Sequence, residues 1–141
     1  MAKNSRRVRV LLDTNILISA FQFGGTPFYV FEHVLSKEVA GITSEELLIE
    51  LLGVFRRKFQ LDENDIKLAE KKIRQSFRMV TPKISLNIVR DIADNRVLEA
   101  AITGHCDYIV TGDNELLRLK HHEEIHIVTA TEFLHVIESL K

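Results

Sequence analysis

A single cysteine, Cys106, stands in 141 residues, so no disulfide can close within the chain. No C-x-x-C motif or Cys/His cluster points to structural zinc either. That usage suits a reducing compartment, and the expected location is cytoplasmic. Long apolar runs are also missing, none approaching the roughly 18 residues of a membrane span. The polar, basic stretch from Met1 to Arg9 is followed within a few residues by Asp13 and Asn15, which gives no secretory apolar region and predicts no membrane contact. Charge of one sign is lacking as well: 19 basic against 20 acidic side chains leave a formal charge of −1. With no bulk field to draw the molecule to a polyanion, any such partner must be met by a local patch.

What is present is ordinary for a folded chain. Hydrophobic residues make up 45% and charged ones 28%, so collagenous, disordered and disulfide-scaffold classes have no compositional support. The length suits one hydrophobic core. Neither repeats nor a linker are evident. The expectation is a single domain over residues 8–141 behind a flexible basic lead-in, residues 1–7.

Short apolar runs alternate with segments of helical period, the pattern of an α/β fold with a largely parallel sheet, here of four to five strands. Val8 to Leu12 reads as a buried strand, after which Asp13-Thr14-Asn15 supplies capping chemistry for a helix. Thr26 followed by Pro27 predicts an N-cap and first helical residue. Val39 to Ile42 is a weak strand, and Thr43 and Glu46 have capping-box spacing ahead of the stripe Leu47, Leu48, Leu51, Leu52, Phe55 and Phe59. Asp62 caps a helix expected over Glu63 to Met79, stopped by Pro82. A short strand or extended stretch is expected near Val80 to Val89. Asp94 begins a helix that Gly104 ends, and Asp107 to Val110 reads as a central strand leading into Thr111-Gly112-Asp113. A short helix over Asn114 to Leu119, a last strand Ile125 to Val128 and a helix capped by Thr129 and Glu132 complete the chain.

The chemistry lies in carboxylates. Asp13 and Asp113 each follow an apolar strand and precede a helix, which in a parallel sheet puts both at the carboxyl edge, where ligands of such sheets bind. On neighbouring strands they would stand about 5–10 Å apart, given a strand spacing of ~4.8 Å. Like charges at that range resist joint ionisation unless a cation lies between them. Asp94 shares a helical direction with Val97, Leu98 and Ala101, so its charge is aimed inward unless it serves as a cap, a role Asp91 can take instead. Glu46 and Glu50 both flank the apolar stripe of their helix, and spacing does not separate them. Glu99 projects away from Asp94 and reads as a salt-bridge or rim residue.

Four stretches, Leu12-Asp13-Thr14-Asn15, Ser44 to Leu51, Asp94 to Ala101 and Thr111-Gly112-Asp113, together resemble the PIN-domain nuclease family over Val8 to about Leu134. The ending Ile127-Val128-Thr129 with Thr131 to Leu134 is similar to the small prokaryotic, VapC-like branch described as toxin components of toxin-antitoxin systems. The resemblance implies a three-layer α/β/α sandwich with an acidic pocket of Asp13, Glu50, Asp94 and Asp113, selecting Glu50 over Glu46, supported by Asn15 and Thr111. It further implies a divalent-metal-dependent endoribonuclease, a homodimer, an RNA substrate and a small antitoxin protein as partner. The chain departs from the pattern at Ile92-Ala93, where relatives often carry proline and another acid.

Carboxylates without cysteine or histidine partners favour hard, oxygen-binding cations, Mg²⁺ or Mn²⁺ rather than zinc. Of the metal ligands Asp13, Asp94 and Asp113, Asp13 and Asp113 would lead, Asp94 would hold a second cation or its water, and Glu50 would orient or deprotonate the attacking water, the last two roles being exchangeable. Lys67, Lys71, Arg74 and Arg78 fall at i, i+4, i+7 and i+11 of the expected helix, one basic ridge for the RNA backbone, although Glu63 and Glu70 dilute its charge. Arg56, Arg57 and Lys58 could add a second basic cluster. The six histidines lack a paired metal-binding face, and none is assigned. Phe21, Phe23, Phe28 and Phe31 are read as a core corner in preference to an interface. A haloacid-dehalogenase phosphatase would need a second acid where Asn15 stands, and a phosphoacceptor receiver domain needs an early acidic pair and a late lysine. The remaining rival is a non-catalytic PIN-like module that binds RNA or protein.

Overall fold

The computed structural model describes residues 6–141, so most of the expected lead-in, residues 1–5, lies outside the described residues. In chain order the elements are β1 (Arg9–Leu12), α1 (Thr14–Gln22), α2 (Gly25–Leu35), β2 (Ala40–Ser44), α3 (Glu45–Lys58), α4 (Glu63–Ser76), β3 (Phe77–Val80), α5 (Ile92–Thr103), β4 (Tyr108–Val110), α6 (Asn114–Leu119), β5 (His121–His122), β6 (Ile125–Val128) and α7 (Ala130–Ser139). The strands form one six-stranded sheet in the order β3-β2-β1-β4-β6-β5. Every pairing is parallel except that of β5 with β6.

Alternation along β1 sends successive side chains to opposite faces. Val10 and Leu12 join one buried cluster with Leu17, Val30, Phe55 and Phe133, under α1 to α4 and α7. Leu11 joins the other with Val97, Leu98, Ile109 and Leu116, under α5 and α6. Two apolar clusters separated by the sheet make the three-layer sandwich that the resemblance implies. No helix among the described residues is long and apolar enough to cross a membrane.

The sheet has six strands rather than four to five because tertiary pairing overrides local pattern at two places. The helix expected to reach Met79 ends at Ser76, and Phe77–Val80 pairs with β2 from Gly41 to Ser44 instead. Gly41 makes room for this: a side-chain carbon there would stand 2.6 Å from the Phe77 ring. Of the short strand or extended stretch expected near Val80 to Val89, only Val80 is in a strand, and the chain beyond it is irregular. The second addition, β5, is a two-residue antiparallel bridge at the sheet edge.

Two caps also move. Thr43 is committed to β2, so Ser44 caps α3, its hydroxyl accepting from the Leu47 N–H at 3.2 Å. Gly24, at φ +75°, caps α2 ahead of Thr26, and Pro27 falls inside the first turn, where its missing N–H leaves nothing unpaired. Asp62, Gly104 and Thr129 cap as expected, the last in a full capping box with Glu132.

Candidate active site

Chain connectivity picks out one place on the sheet. From β1 the chain adds β2 and then β3 on one side, while β4 and β6 lie on the other. The order reverses between β1 and β4, and the carboxyl ends of strands flanking such a switch point open a ligand crevice. Leu12 pairs with Val110 in this register, and the Asp13 N–H donates to the Val110 carbonyl at 2.9 Å. Asp13 leaves β1 and Asp113 leaves β4 at this one edge, on neighbouring strands.

Two threonines fix these acids. Thr111, fully buried, donates its hydroxyl proton to Asp13 Oδ2 at 2.7 Å and accepts the Asp113 N–H at 3.0 Å. Thr14 donates its N–H to Asp13 Oδ1 at 2.7 Å and its hydroxyl proton to Glu50 Oε1 at 2.9 Å. Glu50, on α3, is thereby tied to the strand-end acid of β1. Asp113 also caps α6, its Oδ1 accepting from the N–H groups of Glu115 and Leu116.

Asp94 enters from α5. It is only 5% exposed, and its Oδ2 is buried without a hydrogen-bond partner. The cap of α5 is Asp91, whose Oδ1 accepts the Ala93 N–H at 2.9 Å. One carboxylate oxygen from each of Asp91, Asp94 and Asp113 lies within 4.8 Å of the others. The irregular segment before α5 is held by side chains. Asn95, nearly fully buried, accepts from the N–H groups of Ile88 and Val89 and donates to the Val89 carbonyl, Glu99 accepts from Leu86, and Glu115 accepts from Arg90.

None of the ion pairs among the described residues involves Asp13, Glu50, Asp91, Asp94 or Asp113. Their mutual repulsion shows in the acidities. Burial pushes the Asp94 carboxyl up to about 7, reinforced by Asp113, Asp13 and Asp91. Burial also raises the Asp13 pKa, with Glu50 and Asp113 adding to it, while the bonds from Thr111 and Thr14 pull the other way. Leaving a buried carboxylate unpaired costs several kcal/mol in order of magnitude. An acid set with an orphaned buried oxygen, no basic partner and oxygen as its donor atom fits a divalent cation.

The other expected residues fare differently. Asn15 is exposed and makes no side-chain hydrogen bond; Thr14 beside it makes the contact that links two acids. Glu46 is exposed and shares no bond with the pocket. Of the two readings of Glu99, the salt bridge holds and the rim does not: it is 3% exposed, paired with Arg96 at 3.2 Å and bonded to the Leu86 N–H. Of the basic ridge, Lys67, Lys71 and Arg74 lie on α4, but Arg78 lies on β3, and Arg74 is held by Glu45 at 2.6 Å and by Glu70 at 2.9 Å. Arg56, in the second basic cluster, pairs with Glu63. The phenylalanines divide: Phe31 is buried and Phe21 packs on it and on Phe55, whereas Phe23 is 76% exposed. Sequence reasoning misses Thr14 and the joining of Asp91 to the acids, although it offers Asp91 as the cap that frees Asp94.

Residues 9–115 match the family described as the PIN domain. Among curated proteins, none is significantly similar in sequence. Several solved structures share the fold at low identity. The crystal structure of VapBC2 from Rickettsia felis bound to a DNA fragment from their promoter is 15% identical, with a TM-score of 0.58 over 85% of this chain and 97% of that one. FitAcB from Neisseria gonorrhoeae is 11% identical, with a TM-score of 0.53 over 86% and 98%. PAE2754 from Pyrobaculum aerophilum is 14% identical, with a TM-score of 0.56 over 95% and 98%.

Proposed function

The chain belongs to the PIN-domain family, whose members are generally nucleases, and on that premise we propose that it is a divalent-metal-dependent endoribonuclease, the toxin component of a toxin-antitoxin pair. One observation supports this above the rest: the buried, unpartnered Asp94 oxygen in an acid cluster at the sheet's switch point, with no basic side chain among the described residues paired to any of its acids. In this reading Asp13, Asp94 and Asp113 hold Mg²⁺ or Mn²⁺ and Glu50 is the base. The working unit is the single domain over residues 8–141.

When bound, the cation supplies charge compensation, an acidified water and stabilisation of the departing oxygen of a phosphodiester. The protein's own part is positioning. Thr111 ties the Asp13 carboxylate to the backbone N–H of Asp113 and so holds the ends of the two central strands in register. Thr14 fixes one oxygen of Glu50, and the other is left to take a proton from the attacking water. Asp94, at the first turn of α5, presents its carboxylate from the face of the sheet opposite α3.

Lys67 and Lys71 on α4, with Arg78 on the adjoining strand, form the track for the RNA backbone. The likeness to VapBC2 and FitAcB supports a small protein antitoxin as partner, and a homodimer and a cytoplasmic location accompany that reading.

The test is cleavage of a mixed RNA pool with Mg²⁺, with Mn²⁺ and with EDTA, beside Asp13→Asn and Asp113→Asn. Cleavage that needs the metal and both aspartates is expected. Equal activity in chelator removes the metal mechanism, and no cleavage of any substrate favours a module that binds RNA or protein without cutting.

A further inference from the structure

The expected pocket has four acids, yet the carboxylate oxygens that lie within 4.8 Å of one another among the described residues include those of a fifth, Asp91, and none from Asp13 or Glu50. The hydrogen bonds explain the division. Both oxygens of Asp13 and one of Glu50 are engaged by Thr14 and Thr111. Asp91 and Asp113 each use only Oδ1 as a helix cap. Among the described residues no N–H or O–H donor is bonded to the second oxygen of either, and the Oδ2 of Asp94 is buried without a partner.

We propose that Asp91 is a direct cation ligand, forming with Asp94 and Asp113 one divalent-cation position in the pocket. The proposal rests on the metal-dependent reading of the site and adds to it a residue and a position. A carboxylate can cap a helix through one oxygen and bind an ion through the other, so the cap of α5 does not compete with the ligand. Position is the stronger argument. Asp91 ends a segment that is irregular from Thr81 onward, where nothing in the backbone pattern alone would hold it. Asn95, Glu99 and Glu115 take up the N–H groups of Leu86, Ile88, Val89 and Arg90, which delivers the Asp91 carboxylate to the mouth of the crevice. Asp91 is exposed while Asp94 is buried, so the position opens to water on one side, as a site exchanging Mg²⁺ or Mn²⁺ requires. The neighbouring Ile92 and Ala93 bring no competing ligand atoms.

Asparagine caps a helix as well as aspartate does, so Asp91→Asn keeps the cap and removes the charge, whereas Asp91→Ala removes both. Mn²⁺ binding, read by titration calorimetry and by the loss of the free-ion paramagnetic resonance signal, is to be measured for the wild type and both variants, beside thermal unfolding in EDTA. The expected result is Mn²⁺ affinity or stoichiometry reduced in Asp91→Asn at least about tenfold, the lower end of what losing even an outer partner of a ligand costs. Its unfolding temperature in EDTA should match the wild type, with Asp91→Ala melting lower. Unchanged Mn²⁺ binding in Asp91→Asn, beside a wild type that binds, overturns the role of Asp91 alone and leaves the four-acid reading in place. A wild type that takes up no Mn²⁺ at millimolar concentration overturns both.

Discussion

Thr111 donates its hydroxyl proton to Asp13 Oδ2 over 2.7 Å, and the Thr111 hydroxyl oxygen itself accepts the N–H of Asp113 at 3.0 Å. One fully buried side chain thus sets the separation of the two strand-end acids. Thr111→Val, close in shape, leaves an Asp13 oxygen and the Asp113 N–H without this partner. A loss of about 1–3 kcal/mol in denaturant unfolding is expected, together with reduced RNA cleavage. Thr111→Ser, which retains the oxygen, should recover most of both. Equal stability of the valine and serine forms would show that the hydroxyl does not position the acids.

The Asp94 carboxyl stands near 7, against 3.8 for an ordinary aspartate, because burial and the charges of Asp113, Asp13 and Asp91 disfavour its ionised form. Between those values the folded chain keeps a proton that the unfolded chain has lost, so stability falls as pH rises through the window. In EDTA, the unfolding temperature should therefore drop by several degrees from about pH 5 to pH 8. Saturating Mn²⁺ should flatten the dependence by favouring the ionised acids. Asp94→Asn should abolish much of the slope in EDTA and raise stability at pH 8 by about 0.5–2 kcal/mol, the trade common at functional sites. A rise in unfolding temperature with pH in EDTA would contradict the assignment.

Glu46 and Glu50 are indistinguishable by helical spacing, and only tertiary structure separates them: Thr14 donates its hydroxyl proton to Glu50, while Glu46 shares no bond with the pocket. Glu50→Gln should lower the cleavage rate by at least about a hundredfold, the lower range for removing a general base. Glu46→Gln should leave it near the wild type. Thr14→Val, which frees Glu50 without removing its charge, should fall between them. Matched losses at Glu46 and Glu50 would indicate a general charge effect in place of a specific base.

Much of this arrangement is legible in the sequence because it depends on local rules. Strand ends at Leu12 and Val110, the inward phase of Asp94 and the resemblance of the motifs suffice to gather the four acids, since a parallel sheet sends all its carboxyl ends to one edge. What escapes is decided at long range. Phe77–Val80 joins the sheet because Gly41 accommodates an aromatic ring from a strand 36 residues later, beyond the reach of helical period. Arg74 pairs with Glu45 across 29 positions of sequence. Asp91 reaches the acids because Asn95, which in sequence is one polar residue of a helix, turns inward to bond the preceding segment.

Asn95 therefore has a role that can be tested apart from the acids themselves. Asn95→Ala leaves the N–H groups of Ile88 and Val89 without their acceptor in a buried setting, and a cost of at least about 1–3 kcal/mol is expected. Hydrogen exchange at Ile88 and Val89 should accelerate more than at β1 and β4. Slow exchange retained at both positions would mean that the segment is held by other contacts.

Arg74 and the two lysines on its helix should respond differently to salt, although spacing alone groups them as one ridge. The Arg74 guanidinium is bound by Glu45 and Glu70, and those bonds raise its already high pKa. Meeting a phosphate would mean giving them up, whereas Lys67 and Lys71 form no ion pair among the described residues. Each lysine that contacts single-stranded RNA contributes about 0.7 to the slope of log affinity against log salt. Lys67→Ala and Lys71→Ala should each reduce the slope by about that amount in filter-binding or fluorescence titrations. Arg74→Ala should leave the slope nearly unchanged while loosening the contact between the start of α3 and α4. If Arg74→Ala flattens the salt dependence as much as the lysine variants do, its ion pairs open on binding, and the ridge acts as the single track that helical spacing suggests.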